Sequence, residues 1–155
     1  MTENPLPIFD TMVQFFTEDD WKFHQLEGKP ILSMAFKGDS GSWMCYAQAR
    51  EEQQQFVFYS VMESNVPADR RQAVAEFLTR ANYGLTLGNF EMDFTDGEVR
   101  YKTSVDVEGG ELTKQMVKTL VYVNVLMMDK YLPGIMSVIY AGTSPADAVA
   151  RIEQK

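Results

Sequence analysis

Four acidic side chains lie within eight residues of the sequence, in the stretch "NFEMDFTDGEVRYK" from Asn89 to Lys102, and they surround one glycine. Carboxylates this close together could hold a calcium or magnesium ion, or could act as a catalytic acid–base pair. An EF-hand loop with Gly97 at its sixth position would need oxygen ligands where the chain has Met92, Phe94 and Thr103. The spacing therefore excludes this type of calcium site.

The same stretch predicts a β-hairpin, because Asp96–Gly97 stands between two alternating runs and both residues of a two-residue turn need positive φ. In that register Asp93 faces Arg100 and Glu91 faces Lys102. One face of the hairpin would then be apolar, and the other would carry two opposite-charge pairs. We expect the acidic cluster to be the solvated side of a hairpin.

Other reactive side chains are few. The segment "GDSG", Gly38–Gly41, resembles the surroundings of the nucleophile in trypsin-like proteases, but a catalytic triad also needs a histidine and the chain has only His24. A glycine-rich loop explains the segment better. Cys45 is either a small buried hydrophobe or a thiol nucleophile with His24 as its base. The sequence holds neither a zinc-spaced His/Cys cluster nor a phosphate-binding glycine motif, so we expect no metal and no cofactor.

Composition narrows the class of partner. The net charge is −8, and the longest basic run is Arg70–Arg71. Nucleic acids and anionic membranes are bound by clustered lysine and arginine, so the sequence argues against both and favours basic partners. The most apolar segment, Leu120 to Gly142, contains Asp129 and Lys130 in its middle, which argues against membrane insertion.

Length and targeting signals give two further expectations. A chain of 155 residues, 45% apolar, has the size and composition of one globular domain, residues 1–155. The beginning of the sequence lacks the basic and apolar regions of a signal peptide, and its one cysteine cannot form an internal disulfide. We expect a cytoplasmic protein.

Hydrophobic periodicity predicts an α+β fold in the order α-β-β-β-β-α-β-β-α, with a short further helix and a mostly antiparallel, twisted sheet. The strand at 56–62 is apolar on both faces, which is typical of a central strand covered on both sides. The first half of the chain is predicted to form a helix that is capped by Asn4 and ends near Thr17, followed by strands at 21–25, 31–37, 43–50 and 56–62. A second helix, which begins at Pro67, leads into the hairpin. The remainder is predicted to form a helix from about Leu112 to Tyr131 that Pro133 kinks or breaks, and a last helix that begins at Ser144–Pro145.

The long C-terminal helix has apolar residues nearly all round between Leu120 and Leu132, which implies burial on more than one side. One side can cover the sheet, and the other can contact the N-terminal helix, a second copy of the chain or another polypeptide. An ordinary core that uses methionine as filler fits the pattern equally well. The residues expected at a dimer or client interface are Met116, Leu120, Val123, Met127, Met128 and Tyr131.

Two runs, "GNFEMDFTDGEVRYKTSVDVEGGELT" and "MDKYLPGIMSVIYAGTSPADAV", resemble the C-terminal half of YbjN-type proteins, a family described as bacterial sensory transduction regulators. The resemblance is most specific over residues 82–149, where it joins a hairpin, a helix, "Y-x-P" and "SP-x-x-A", and earlier in the chain it rests mainly on the order of the elements. This family is similar in fold to type III secretion chaperones, which are small, acidic, usually dimeric proteins whose exposed sheet or groove holds an extended client segment. The resemblance implies a non-enzymatic homodimer that binds or regulates a protein client, and it carries over no catalytic residue.

Two functions therefore stand as hypotheses. A protein-interaction module would use an exposed strand edge or the methionine-bearing helix face. The alternative is a small-ligand-binding domain or an unrecognised enzyme with an aromatic pocket, lined by Trp21, Trp43, Tyr46 and Tyr59.

Overall fold

The computed structural model describes residues 5–154, which form four α-helices and one antiparallel sheet in the strand order β1-β2-β3-β4-β6-β5. The predicted α+β class and element order are confirmed. The helices are α1 (Pro7–Glu18), α2 (Arg71–Asn82, preceded by a 3-10 turn at Ala68–Arg70), α3 (Lys114–Tyr140) and α4 (Pro145–Glu153). The strands are β1 (His24–Gln25), β2 (Ile31–Lys37), β3 (Ser42–Arg50), β4 (Gln55–Val61), β5 (Asn89–Met92) and β6 (Val99–Asp106).

The helices pack on one face of the sheet. Phe16 of α1 stacks on Phe58 of β4, and Asn124 of α3 donates hydrogen bonds to the backbone oxygens of Phe58 and Tyr101. Alternate side chains of β3 and β4 are buried on this side, as the period of two in a strand requires. The hydrophobic core lies between this face and the helices.

The second face of the sheet, which we call the open face, is not covered by a helix. β4 is central, as predicted, but its expected cover on both sides is wrong, because Tyr59 and Val61 remain half-exposed on this face. Val57, which is 7% exposed, lies between its cross-strand partners Gln48 and Ser104. The register assigns to the open face His24, Ile31, Ser33, Ala35, Lys37, Ser42, Met44, Tyr46, Gln48, Arg50, Gln55, Val57, Tyr59, Val61, Asn89, Glu91, Arg100, Lys102, Ser104 and Asp106.

The N-terminus of α1 is capped from another part of the chain. The predicted cap, Asn4, lies outside the described residues, and Leu6 at the cap position makes no side-chain cap. Instead the carboxylate of Glu51, just after β3, accepts hydrogen bonds from the backbone N–H groups of Ile8 (3.2 Å) and Phe9 (2.8 Å). A negative charge at a helix N-terminus is favourable, so Glu51 fixes this end of α1 against the sheet.

Of the two effects expected of Pro133, a kink or a break, the break does not occur, because α3 continues to Tyr140. The "GDSG" loop supplies the hydrogen bond that the proline removes. Proline has no N–H to donate to the carbonyl four residues earlier, which belongs to Asp129. The hydroxyl of Ser40 donates to that carbonyl oxygen at 2.8 Å. The Asp129 carboxylate in turn accepts from the backbone N–H groups of Asp39 (3.0 Å) and Ser40 (2.7 Å). A β-carbon at Gly38 would collide with this carboxylate. The segment is therefore a loop docked on α3.

This arrangement gives a testable coupling between Ser40 and Pro133. We expect Ser40→Ala to lower the free energy of unfolding by about 1 kcal/mol, because the Asp129 carbonyl loses its donor. In a Pro133→Ala background the new N–H can supply that bond, so the same substitution should cost clearly less. Urea unfolding of the two single variants and the double variant measures the coupling. Equal costs in both backgrounds would contradict the compensation.

Both edges of the sheet are shortened or closed. The predicted strand at 21–25 forms a ladder only over His24–Gln25, because the Trp21 indole is bound to Asp19 at the end of α1 and its ring stacks on Phe36. At the other edge, the side-chain amide of Asn82 accepts from the Phe90 N–H (2.7 Å) and donates to the Phe90 carbonyl (3.1 Å). These are common ways of blunting sheet edges, so neither edge offers a long free strand.

Candidate functional site

The acidic stretch forms a hairpin, as expected, but in a different register. Met92 pairs with Val99 and Glu91 with Arg100, which moves the pairing by two residues and leaves a wider loop. The carboxylate of Asp93 accepts from the Thr95 N–H at 2.8 Å, and that of Asp96 accepts from the Glu98 N–H at 2.9 Å. The predicted two-residue turn is wrong because these side chains stabilise the wider loop. A shift of two residues keeps the side chains of the paired strand residues on their predicted faces. Phe94, predicted opposite Val99, lies in the loop and is 54% exposed, and Arg100 pairs with Glu91 instead of Asp93.

Glu91 is the acidic residue that forms ion pairs here. Its carboxylate accepts from Arg100 at 2.7 Å and from Lys102 at 2.9 Å. Partial burial alone would raise the pKa of Glu91, but the hydrogen bonds from Lys102 and Arg100 outweigh it and hold the pKa below its ordinary value. Within residues 5–154, no group of three or more histidine, cysteine, aspartate or glutamate residues is placed to hold a metal ion. The cluster therefore serves as a hairpin loop and an ion-pair network.

The proposed pair of Cys45 and His24 does not form. Cys45 is buried on the helix-covered side of β3, whereas His24 is exposed at the sheet edge and pairs with Ser33. Burial raises the pKa of the Cys45 thiol to about 12, and weaker contacts with the Ser60 hydroxyl (3.5 Å) and with Trp43 only partly oppose this. A thiol with this pKa is protonated at neutral pH, so it is not a nucleophile.

Thiol reactivity tests this placement. We expect Cys45 of the folded protein to resist Ellman's reagent at pH 8, because the thiol is both protonated and inaccessible. In denaturant the cysteine should react fully, with the rate of an ordinary thiol. Rapid modification of the native protein would contradict the burial of Cys45.

The four aromatic residues of the expected ligand pocket lie on opposite sides of the sheet. Trp21 and Trp43 are on the helix-covered side, where each ring packs against Phe36 at 5.8 and 5.3 Å between centroids. Tyr46 and Tyr59 are cross-strand partners on the open face. The predicted pocket is wrong, because a one-residue change along a strand reverses the face to which the side chain points.

The open face carries two grooves on either side of Tyr59. One has a volume of about 440 Å³ and is lined by Ile31, Tyr46 and Val61 among others. The second, of about 360 Å³, is lined by Val57, Lys102 and residues nearby. The guanidinium of Arg100 lies 4.3 Å from the centre of the Tyr59 ring and shields it partly by a cation–π contact. The face is thus amphipathic, with an apolar and aromatic centre.

The six residues expected at an interface separate into two sets. Leu120, Met128 and Tyr131 are buried in the chain's own core, and the Tyr131 hydroxyl donates to Glu153 of α4 at 2.7 Å. They are not accessible to a partner in this fold. Met116, Val123 and Met127 are half-exposed on the flank of α3, beside its buried side, and Met116 and Met127 also pack against the core.

Leu126, which sequence reasoning missed, lies among the half-exposed residues and is 56% exposed. We call Met116, Val123, Leu126 and Met127 the outer face of α3. The available signal was its spacing: Leu126 is three residues after Val123, so it belongs to the same side of the helix. For the open face the signal was the alternation of Tyr46 and Gln48, which carry polar groups, with the buried residues Cys45 and Ala47.

Comparisons with known proteins identify one matching family and two proteins of similar structure. A family model, YbjN, described as "Putative bacterial sensory transduction regulator", matches residues 9–136. The crystal structure of E. coli YbjN, described as a putative transcription regulator, superimposes with a TM-score of 0.59 at 14% identity, over 88% of this chain and 92% of that one. A chain of the ExsC–ExsE complex gives a TM-score of 0.51 at 11% identity, over 83% and 96% respectively.

At these identities the two structures establish a shared fold, and the predicted likeness to a type III secretion chaperone is confirmed for the fold. A search of curated protein sequences finds no match. Among the described residues no helix is long and apolar enough to cross a membrane.

Proposed function

The chain belongs to the YbjN family, and on that premise we propose that it is a non-enzymatic bacterial regulator or chaperone-like adaptor, a cytoplasmic homodimer that binds a segment of a protein client. The family description supports a regulatory role, and the fold is one that also serves a type III secretion chaperone. The geometry of Cys45 and His24 and the docked "GDSG" loop remove the catalytic groupings that the sequence had suggested.

One observation carries the proposal: apolar side chains stay exposed on two separate surfaces, the open face and the outer face of α3. Met44 on the open face is 41% exposed, and Leu126 on α3 is 56% exposed. An adaptor that both dimerises and binds a client needs two such surfaces. Isolated exposed apolar residues are common on monomers, but grouped ones mark interaction sites.

We assign the client to the outer face of α3. Methionine side chains are flexible and polarisable, so Met116 and Met127 can adapt to different apolar side chains around Leu126. The strand edges are poorer candidates, because Asn82 closes one of them and the other is only two residues long. A narrow helix face suits a short client segment held with modest affinity.

Site-specific photocross-linking in the native bacterium tests this assignment. A benzoylphenylalanine at Leu126 should form an adduct with another polypeptide, identified by mass spectrometry of the cross-linked segment. The same probe at Thr79, an exposed position on α2, is the matched control and should give no such adduct. Identical adducts at both positions, or adducts only with another copy of the chain, would contradict client binding at α3.

A further inference from the structure

We infer that the open face is the surface against which a second copy of the chain packs, in a face-to-face contact of two sheets. The inference rests on the proposed homodimer and specifies its interface. It differs from the expectation that the long helix mediates self-association. Three properties of the molecule favour the open face over α3: its area, its charge and the state of the sheet edges.

The open face and the outer face of α3 differ in the area that a dimer could bury. Strands lie about 4.8 Å apart and rise about 3.3 Å per residue, so the strands of this sheet present roughly 600 Å² on one face. Two copies would bury roughly 1,200 Å², which reaches the lower limit of a stable specific interface. The outer face of α3, from Met116 to Met127, is about 10 Å wide and about 18 Å long, so two copies would bury only roughly 360 Å² there. A lasting dimer needs the larger surface.

Charge favours a second copy as the occupant. The chain has a net charge of −8, so two copies repel each other wherever acidic surfaces meet. The open face and its larger groove are balanced, since Glu91 is paired with both Arg100 and Lys102. The open face itself carries the bases Lys37, Arg50, Arg100 and Lys102 and the acids Glu91 and Asp106, and the lining of its larger groove adds the acids Glu63 and Glu98. An acidic protein can therefore bury this face against itself without like-charge repulsion across the contact.

The sheet edges determine how two sheets can associate. Joining two copies edge to edge needs a free strand on each, and Asn82 occupies the outer N–H and carbonyl of Phe90 on β5. At the opposite edge β1 is two residues long. Face-to-face packing needs no free edge, and aligned sheets pack about 10 Å apart with their side chains interdigitated. The helices would then point outwards, which leaves the outer face of α3 accessible to a client.

Two matched substitutions distinguish the surfaces. Met44→Glu and Leu126→Glu each replace an exposed apolar residue and change the net charge equally, one on the open face and one on α3. Sedimentation equilibrium gives the dimer dissociation constant, and circular dichroism confirms the fold. We expect Met44→Glu to raise the constant by about tenfold or more, because an unpaired charge enters the contact, while Leu126→Glu leaves it within about twofold.

The possible results distinguish a wrong interface from the absence of a homodimer. A dimer that Leu126→Glu weakens, or that neither variant weakens, overturns the inference but leaves the homodimer intact. A monomeric wild-type protein overturns both. Should Met44→Glu fail to fold, hydroxyl-radical footprinting of the unmodified protein provides a second test. Tyr46 and Tyr59 should then become protected at the concentrations where the dimer forms, and their unchanged reactivity would overturn the inference.

Discussion

Asn124→Asp is expected to lower the free energy of unfolding by about 3–5 kcal/mol at pH 7, because it places an unpaired charge in the core. Asn124 of α3 is fully buried, and its amide nitrogen donates to the backbone oxygens of Phe58 (2.9 Å) and Tyr101 (3.0 Å) and to the Thr103 hydroxyl (3.2 Å). Its own oxygen has no hydrogen-bond partner among the described residues. A carboxylate here would therefore face two carbonyl oxygens, and the nearby Thr103 hydroxyl already donates its hydrogen to the backbone oxygen of Leu120.

The stability that Asn124→Asp loses should depend on pH. Burial without a positive partner raises the pKa of a carboxyl group, so the folded protein would favour the neutral acid. Relative to the wild type, the loss should be small below the ordinary aspartate pKa and grow as the pH rises through the folded-state pKa. Urea unfolding of the wild type and the variant at pH 4 and pH 7 measures this pH-dependent loss.

Asn65→Asp is the control, because it adds the same charge at an exposed position and should change the free energy of unfolding by about 0.5 kcal/mol or less. A loss at Asn124 no larger than this control would contradict the packing of α3 on the sheet.

Gly97→Ala is expected to destabilise the protein by about 3 kcal/mol, which is the second large effect. Gly97, the glycine of the acidic stretch, is buried with φ of +80°, and its carbonyl accepts from the Val66 N–H at 2.8 Å. A β-carbon there would collide with the backbone carbonyl oxygen of Val66. Backbone atoms cannot turn aside as a side chain can, so the loop would have to move away from the segment before α2.

Gly84→Ala is the matched control, because Gly84 has φ of +88° but no atom lies within 4 Å of the position that a β-carbon would take. It should cost about 1 kcal/mol, from the left-handed backbone conformation alone. The difference between the two variants in thermal or urea unfolding measures the close approach at Gly97. Equal costs would show that conformation alone requires glycine there.

Periodicity predicted those parts of the fold that local sequence determines. The apolar face of α2 is correct in each of its four residues, Val74, Phe77, Leu78 and Ala81, and Ser144 caps α4 by accepting from the Asp147 N–H. Strands β2, β3 and β4 lie within one residue of their predicted bounds. These elements combine a strong hydrophobic period with a clear capping or turn residue, so local and tertiary preferences agree.

The remaining differences arise from contacts between distant parts of the chain. The hairpin loop is held by the docking of Gly97 against Val66, far earlier in the sequence, in addition to the local bonds of Asp93 and Asp96. Helix α3 continues past Pro133, where Ser40 from another loop donates to Asp129. The cap of α1 is Glu51 rather than a neighbouring residue. No window of sequence contains both members of such pairs, so periodicity alone cannot reveal them.

The candidate surfaces were only partly predictable for a related reason. An apolar run on α3 indicates burial but not by what, and the structure assigns Leu120, Met128 and Tyr131 to the core while Leu126 stays exposed. Likewise, apolar residues on both faces of β4 suggested two covering layers, whereas one face is covered by helices and the other is open. Hydrophobicity indicates that a face is to be covered, and three-dimensional structure is needed to show whether the chain itself covers it.

The central claim is that this chain acts as a homodimer, and its absolute mass in solution tests that claim most directly. Light scattering on a sizing column, over a hundredfold range of loading concentration, measures the mass without assuming a shape. The chain mass is 17.7 kDa. We expect twice this mass at the higher concentrations, and a lower mass only in the most dilute samples. A mass of one chain at every concentration would contradict the homodimer and the role proposed for the open face.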